Sequence, residues 1–370
     1  MAALLTVGAV SCRKDKDEDQ QPSAANYDYG TFAEGVYQPT YHISAVREDG
    51  TTVQVWSWAT ANLESVTDLR SACNHTFYYA NDRLSKVTAS TGPHNIFYYY
   101  SGSQLSKVEF VNTATQVVDM TMNISRNANE KISLINLEMS DDFMISTALS
   151  LIGVSKEQNP MSRILGEATF KQVVAMAQLM PRSKNGSKFN IDNYHFEIEY
   201  VWDGSNVKKE ILTGTGSATG TLAEWAGVMG SNSALSSFMA MAAAYISDTT
   251  VYPAGVTINS TISYTYDDNR NPTYCLWMDG IDAANLSINN MTEAHTAGTA
   301  AASVTVTVPS TIPQPYYSLI VAALGGTTAP VTRNIDLSDD VTYQYTYNDH
   351  RLPSTVTVNG VTRSYVYENL

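Results

Sequence analysis

The sequence predicts a mainly β protein, an antiparallel meander of aromatic-rich hairpin repeats with helical insertions, α+β overall. Three observations predict it: an aromatic pair that recurs every 21 residues, looser copies of it downstream, and stretches where apolar residues switch to helical spacing. The 370-residue chain is 44% apolar, so it has ample length to bury a core and is neither disordered nor a bundle of membrane helices. Its 36 acidic and 22 basic residues give a net charge of −14, and a surface of that sign repels phosphate backbones. Nucleic acid is therefore not an expected partner.

The 21-residue period is carried by Trp56-x-Trp58, Phe77-x-Tyr79 and Tyr98-x-Tyr100. Leu63, Leu84 and Leu105 follow five residues after each pair, and Val66, Val87 and Val108 follow eight residues after. Between them lie polar turn-formers such as Ala80-Asn81-Asp82-Arg83 and Ser101-Gly102-Ser103-Gln104. Residues two apart share one face of a strand, and aromatic and β-branched side chains suit that pleated surface. Asn, Asp and Gly tolerate the left-handed backbone of a tight turn. Each unit therefore reads as a hairpin, and consecutive hairpins make the meander. Looser copies are Tyr200-x-Trp202, Tyr264-x-Tyr266 and Tyr345-x-Tyr347, each followed by Asp or Asn turn residues, with Tyr365-x-Tyr367 opening a last strand.

Helical insertions are expected near 141–181, 221–247 and 315–325. The first combines a leading Asp141-Asp142 with apolar residues at helical spacing up to Pro181. Thr221-Leu222-Ala223-Glu224 has the spacing of a capping box and opens the second. Pro315 begins the third and Gly325-Gly326 ends it, the usual placement of those two residues. Repeats on both sides of residue 190 favour one sheet; the alternative is two β domains divided there.

Residues Met1 to Ser11 are apolar or small and end at Cys12. The run is too short to span a bilayer but suits the apolar part of a secretory signal. Seven charged residues, Arg13 to Asp19, and a polar stretch containing Pro22 follow; they cannot bury apolar area and read as a tether. The boundaries are thus a signal-peptide remnant at 1–11, a tether at 12–30 and a single β-rich domain at 31–370. Gly8-Ala9-Val10-Ser11-Cys12 resembles the lipobox of bacterial lipoproteins, which implies acylation of Cys12 and attachment to a membrane through lipid. The charged run resembles the signal that sends some Gram-negative lipoproteins to the outer face of the outer membrane, which implies a cell-surface location. Tyr264-Thr265-Tyr266-Asp267-x-x-Arg270 and Tyr345-Thr346-Tyr347-Asn348-x-x-Arg351-Leu352 resemble the YD repeats of Rhs-type proteins. With the Gly35-Val36-Tyr37-x-Pro39 opening, the whole is similar to bacterial surface lipoproteins built on YD-like hairpins, a resemblance that implies no reaction.

Chemistry is sparse. The six histidines form no HExxH, no nucleophile elbow Gly-x-Ser-x-Gly occurs, and Gly214 to Gly220 lacks both the Rossmann spacing and a P-loop lysine. No enzyme activity, cofactor or metal is expected. Asp141-Asp142, Asp267-Asp268 and Asp339-Asp340 read as turn and cap acids. Cys73 and Cys275 either pair as a disulfide in an oxidising compartment or stand as two buried thiols. Asp248-Thr249-Thr250 resembles a bacterial O-glycosylation site, which implies modification of Thr249. Trp56, Trp58, Tyr79 and Tyr100 are either the core ladder of the meander or, exposed, a platform on which sugar rings stack. The function expected is non-enzymatic binding or a structural role towards a polysaccharide or an envelope protein. The alternative is a module holding a lipid or other apolar ligand between sheet and helices.

Overall fold

A computed structural model describes residues 27–139, 190–221, 251–278, 281–308 and 310–369, together with Leu179 and Trp225. A small hairpin comes first, β1 (Gly30–Ala33) and β2 (Val36–Pro39). Then follow β3 (Tyr41–Glu48), β4 (Thr51–Ala59), β5 (Asn62–Asp68), β6 (Cys73–Ala80), β7 (Arg83–Ala89), β8 (His94–Ser101) and β9 (Gln104–Asn112). Next are β10 (Val118–Arg126), β11 (Ile132–Met139) and four longer or offset strands, β12 (Asn190–Asp203), β13 (Asn206–Thr221), β14 (Val251–Arg270) and β15 (Asn289–Thr307). The chain ends with β16 (Thr328–Asp336), β17 (Asp339–Tyr347), β18 (Pro353–Val358) and β19 (Val361–Asn369). Two helices are described, α1 (Ala283–Leu286) and α2 (Tyr316–Leu324).

Strands β3 to β19 form one closed antiparallel barrel in chain order, sealed where β19 pairs with β3 (Tyr365 opposite Val46). β16 and β17 lie end to end along β15, so these seventeen strands fill sixteen places. The hairpin meander read from the sequence is thus a barrel wall. Helix α2 lies within 315–325: Gly325 takes the left-handed conformation at φ 74°, and the Gly326 amide donates to the Val321 carbonyl. The expected insertions at 141–181 and 221–247 lie outside the described residues except for Leu179 and Trp225, both fully buried in the core. The β11–β12, β13–β14 and β15–β16 connections leave from one end of the barrel, opposite the tight turns of the aromatic repeats.

Along the strands most inward positions are apolar and buried, and they join into a single core cluster around the barrel; His42, Asp68, His75, Glu210, Ser260 and Thr296 are buried polar exceptions. Val46, Val66, Val87, Val108, Ile135, Ile198, Leu212, Ile258, Ala302 and Val356 represent ten different strands in it. Each such Leu, Ile or Val contributes roughly 1.5–3 kcal/mol by leaving water.

One distortion repeats at the turn end. Opposite the second aromatic of each pair, and opposite Arg126 on β10, the facing strand carries one extra residue, a β-bulge: Glu64, Ser85, Ser106, Ser133, Lys208, Thr292, Ser354 and Ser44. The bulge resets the alternation, which is why Leu63 and Val66, three apart, both point inward. Four of the extra serines close onto the facing strand, donating to the carbonyls of Tyr78, Tyr99, Ser125 and Val366. The aromatic tip then grips the neighbouring hairpin. Tyr79 Oη donates to the Leu63 carbonyl at 3.0 Å and Tyr100 Oη to that of Leu84 at 2.8 Å. Trp58, Trp202, Tyr266 and Tyr367 do the same to Ile43, Ile132, Val207 and Pro353. At Leu105 the donor is Arg126 instead.

That end is plugged by β1–β2 and by residues 271–278 and 281–288. The Leu84 amide donates to the Gly35 carbonyl, the Leu105 amide to Glu34 Oε2 and the Val207 amide to Ser287 Oγ. Trp277, 1% exposed, stacks on Tyr98, whose hydroxyl donates to the Trp277 carbonyl at 2.6 Å. Arg270 is held among the rings of Phe32, Tyr274 and Tyr29 at 4.5, 4.9 and 5.7 Å.

Removing one clasp tests this account. Tyr79→Phe keeps the ring but strands the Leu63 carbonyl, and should lower unfolding free energy by about 1–2 kcal/mol in urea titration. Gly35→Ala should cost more, because φ is 73° there and an added Cβ strikes the Tyr100 hydroxyl.

Candidate functional site

The aromatics singled out as a stacking platform do not form one. Trp56 is 7% exposed, and Trp58, Tyr79 and Tyr100 are half-buried against the core, three of the four tied by their tips to backbone carbonyls. Residues two apart share a face, and that face is the inner one. Trp58 is further covered by His42, stacked at 3.8 Å and 13°.

The residues between the pair members point the other way. Tyr78 and Tyr99 are 47% and 39% exposed on the outer wall. Register places Tyr78 on β6, Lys86 on β7 and Phe97 on β8 in one row, with Tyr99 two residues along β8 from Phe97 on the same face. Neighbouring strands are about 4.8 Å apart, so Tyr78 and Phe97 stand roughly 10 Å apart with Lys86 between them. The Lys86 ammonium lies 5.5 Å from the Tyr78 ring centre and 5.2 Å from that of Phe97. Lys107 Nζ lies 4.3 Å from the Tyr99 ring centre and donates to Glu109 Oε1 at 2.6 Å. Tyr99 Oη donates to the other oxygen of Glu109 at 2.7 Å. Partial burial and this carboxylate push the Tyr99 phenol up to about 12. At Glu109, burial opposes ionisation, but the hydrogen bonds from Lys107 and Tyr99 prevail and hold its carboxyl below the ordinary value.

Further round the wall, an open groove of about 570 Å³ lies along β11 and β12, between Asn129, Ser133, Glu199 and Trp202. Lys131 closes one side of it, 4.8 Å from the Trp202 ring centre and hydrogen-bonded to the Gly204 carbonyl. The Trp202 indole nitrogen is spent on the Ile132 carbonyl at 2.7 Å, so the ring is fixed in position.

The remaining candidates are placed as follows. Cys73 and Cys275 are buried free thiols, which corrects the disulfide alternative. Burial pushes the Cys275 thiol up to about 12. Cys12 and Thr249 lie outside the described residues, as do Asp141 and Asp142. Asp267 accepts from Tyr347 Oη and the Asn269 amide, a turn acid as expected. Asp340 pairs with His295 on the outer wall. Among the described residues no His, Cys, Asp or Glu group is arranged to hold a metal ion, and no helix is long and apolar enough to cross a membrane.

Two acids are buried on inward faces, Asp68 at the end of β5 and Glu210 on β13. Glu210 occupies the place that Val66, Val87 and Val108 take in other repeats, is 3% exposed, and accepts from Tyr264 Oη at 3.2 Å. Burial, with Glu210 nearby, drives the phenols of Tyr264 and Tyr200 well above their ordinary value. A group so enclosed is out of reach of a solvent-borne substrate. Its sequence signal is an acid three residues after Val207, where the repeat has an aliphatic.

No protein-family model matches the chain, and no curated protein does. Among solved structures it is similar to a porin-like protein from Bacteroides vulgatus ATCC 8482, with 10% identity, 89% of this chain and 100% of that chain covered, and a TM-score of 0.26.

Two solution tests follow. In a Cys12→Ala chain both thiols should resist iodoacetamide until denaturant is added, and both should then be alkylated. Glu109 adds stability above the unfolded carboxylate range, about pH 4.3, and loses it as pH falls through its lower folded value. The stability gap between wild type and Glu109→Gln, read by urea titration, should therefore narrow as pH is lowered from about 6 to about 3.

Proposed function

We propose that this chain is a lipid-anchored, water-facing β-barrel on the outer face of the outer membrane, with a non-enzymatic binding role towards a polysaccharide. The observation that supports it best is the direction of the alternation. The apolar residues point inward, and the outer wall carries Glu64, Thr76, Lys86, Thr121, Asn123, Glu199, Lys208, Thr257, Thr305 and Thr357. Barrels that cross membranes show the reverse, an apolar band outside and a polar interior. A wall of this kind is held at a membrane by an anchor rather than by its strands, and the lipobox-like Cys12 supplies one.

The tether enters at the plugged end, where Tyr29 Oη donates to the His350 carbonyl and Tyr27 packs edge-on against the His350 ring. In this reading the plug faces the membrane, and the 14 residues from Arg13 to Asn26 span at most roughly 50 Å. The far end, from which the long insertions leave, points away from it.

Cells expressing the full chain with radiolabelled palmitate should yield a labelled protein in the outer-membrane fraction, cut by proteinase K added to intact cells. Cys12→Ala should abolish label and release the protein to soluble fractions. Outer-membrane retention of an unlabelled Cys12→Ala protein after carbonate extraction would overturn the anchor.

A further inference from the structure

We propose that the outer wall over β6–β9 binds an acidic, uronate-bearing polysaccharide, with Tyr78, Phe97 and Tyr99 as the stacking floor and Lys86 as the partner of a sugar carboxylate. It rests on the wall facing water, not on the anchor at Cys12.

The wall does not need these aromatics to fold. The equivalent middle positions in other repeats are Ser57, Val201, Thr265 and Thr346, which belong to strands of the same barrel with the same bulge. Tyr78 and Tyr99 bury no core area and grip no carbonyl of a neighbouring hairpin. Large aromatics left on an outer wall are unusual enough to mark a binding surface, and every sugar ring has an apolar face that a ring can cover.

The charges select among sugars. Lys107 is neutralised by Glu109 at 2.6 Å. Lys86 has no carboxylate within ion-pair distance among the described residues; its ammonium is placed only over the two rings. On a protein of net charge −14, one uncompensated cation set between the exposed Tyr78 ring and the half-buried Phe97 ring is complementary to an anion on a stacked sugar. The overall negative charge is screened beyond about 8 Å at physiological ionic strength, so it weakens approach without cancelling the local pair. The groove beside Trp202 has the opposite character: its lysine is hydrogen-bonded to Gly204, and Glu199 lines it with a negative charge.

The test uses purified full chain and hexasaccharides of galacturonate, glucuronate, mannuronate and guluronate, titrated by calorimetry. Methyl-esterified hexagalacturonate serves as the uncharged counterpart. The expected result is binding of at least one acid, weakened at least tenfold by esterification where the galacturonate binds, and weakened by added salt. Tyr78→Ala and Lys86→Gln should each lower that affinity at least tenfold. Both sites are solvent-facing, and unchanged urea midpoints will show that the variants fold. Val361→Ala, on an exposed position elsewhere on the wall, should bind as wild type does. Absence of binding to all four acids, equal binding of the ester, or full affinity in both variants would each overturn the proposal. So would photo-cross-linking from position 99 in cells that captures a protein in place of glycan. None of these results depends on Cys12, so failure here and failure of the anchor are read separately.

Discussion

The structure depends on satisfying the backbone that its own bulges release. Each hairpin gains one residue at its turn end, and the amide or carbonyl beside that residue drops out of the ladder. Left unpaired in a dry rim, each group would cost about 1–3 kcal/mol, a large fraction of ordinary domain stability if repeated around a barrel. At Leu63, Leu84, Ile132, Val207 and Pro353 the carbonyl is met by the second aromatic of the next hairpin. The amide, at Leu84, Leu105 and Val207, is met by the plug. Neither a single hairpin nor an unplugged wall is complete, so closure and plugging belong to one cooperative unit.

This explains why the aromatics of the pair are Tyr and Trp at the second position while Phe is accepted at the first. Phe77 has only to fill space, whereas Tyr79 must also carry a donor to a carbonyl 16 residues back. It also explains a substitution in the ring of clasps. Ile124 and Arg126 replace the usual aromatic on β10, and the guanidinium of Arg126 takes over both tasks, reaching the Leu105 carbonyl and Glu34 of the plug.

Much of the wall was legible in the sequence. Period two within the pairs, polar turn residues after them and a 21-residue repeat specify hairpins directly, and Pro315 with Gly325 specifies α2. Closure was not legible, because the pairing of Val46 with Tyr365 spans nearly the whole chain and nothing local announces it. The plug was hidden for the same reason: Tyr37 bonds to the Pro272 carbonyl across 235 residues. The bulge left a trace that is clear in retrospect, since Leu and Val three apart cannot share a face of a regular strand. At the candidate site, the aromatic repeat marks the pair members, and the residue between them follows no repeat of its own. Three consecutive aromatics on a strand must put one on the opposite face, and in Phe77-Tyr78-Tyr79 and Tyr98-Tyr99-Tyr100 that residue is the exposed one.

The repeat therefore separates two kinds of position. Inward residues and second aromatics are bound by the rim: change one and a backbone group loses its partner. The middle residue is bound by nothing inside the barrel, and across the repeats it is Ser, Tyr, Tyr, Val, Thr, Thr and Val. Folding is indifferent to that series, so its two tyrosines, two strands apart on the same outer face with Lys86 and Phe97 between them, answer to what lies outside. A barrel whose interior is fully committed to holding itself closed keeps its outer wall as the surface on which recognition can vary.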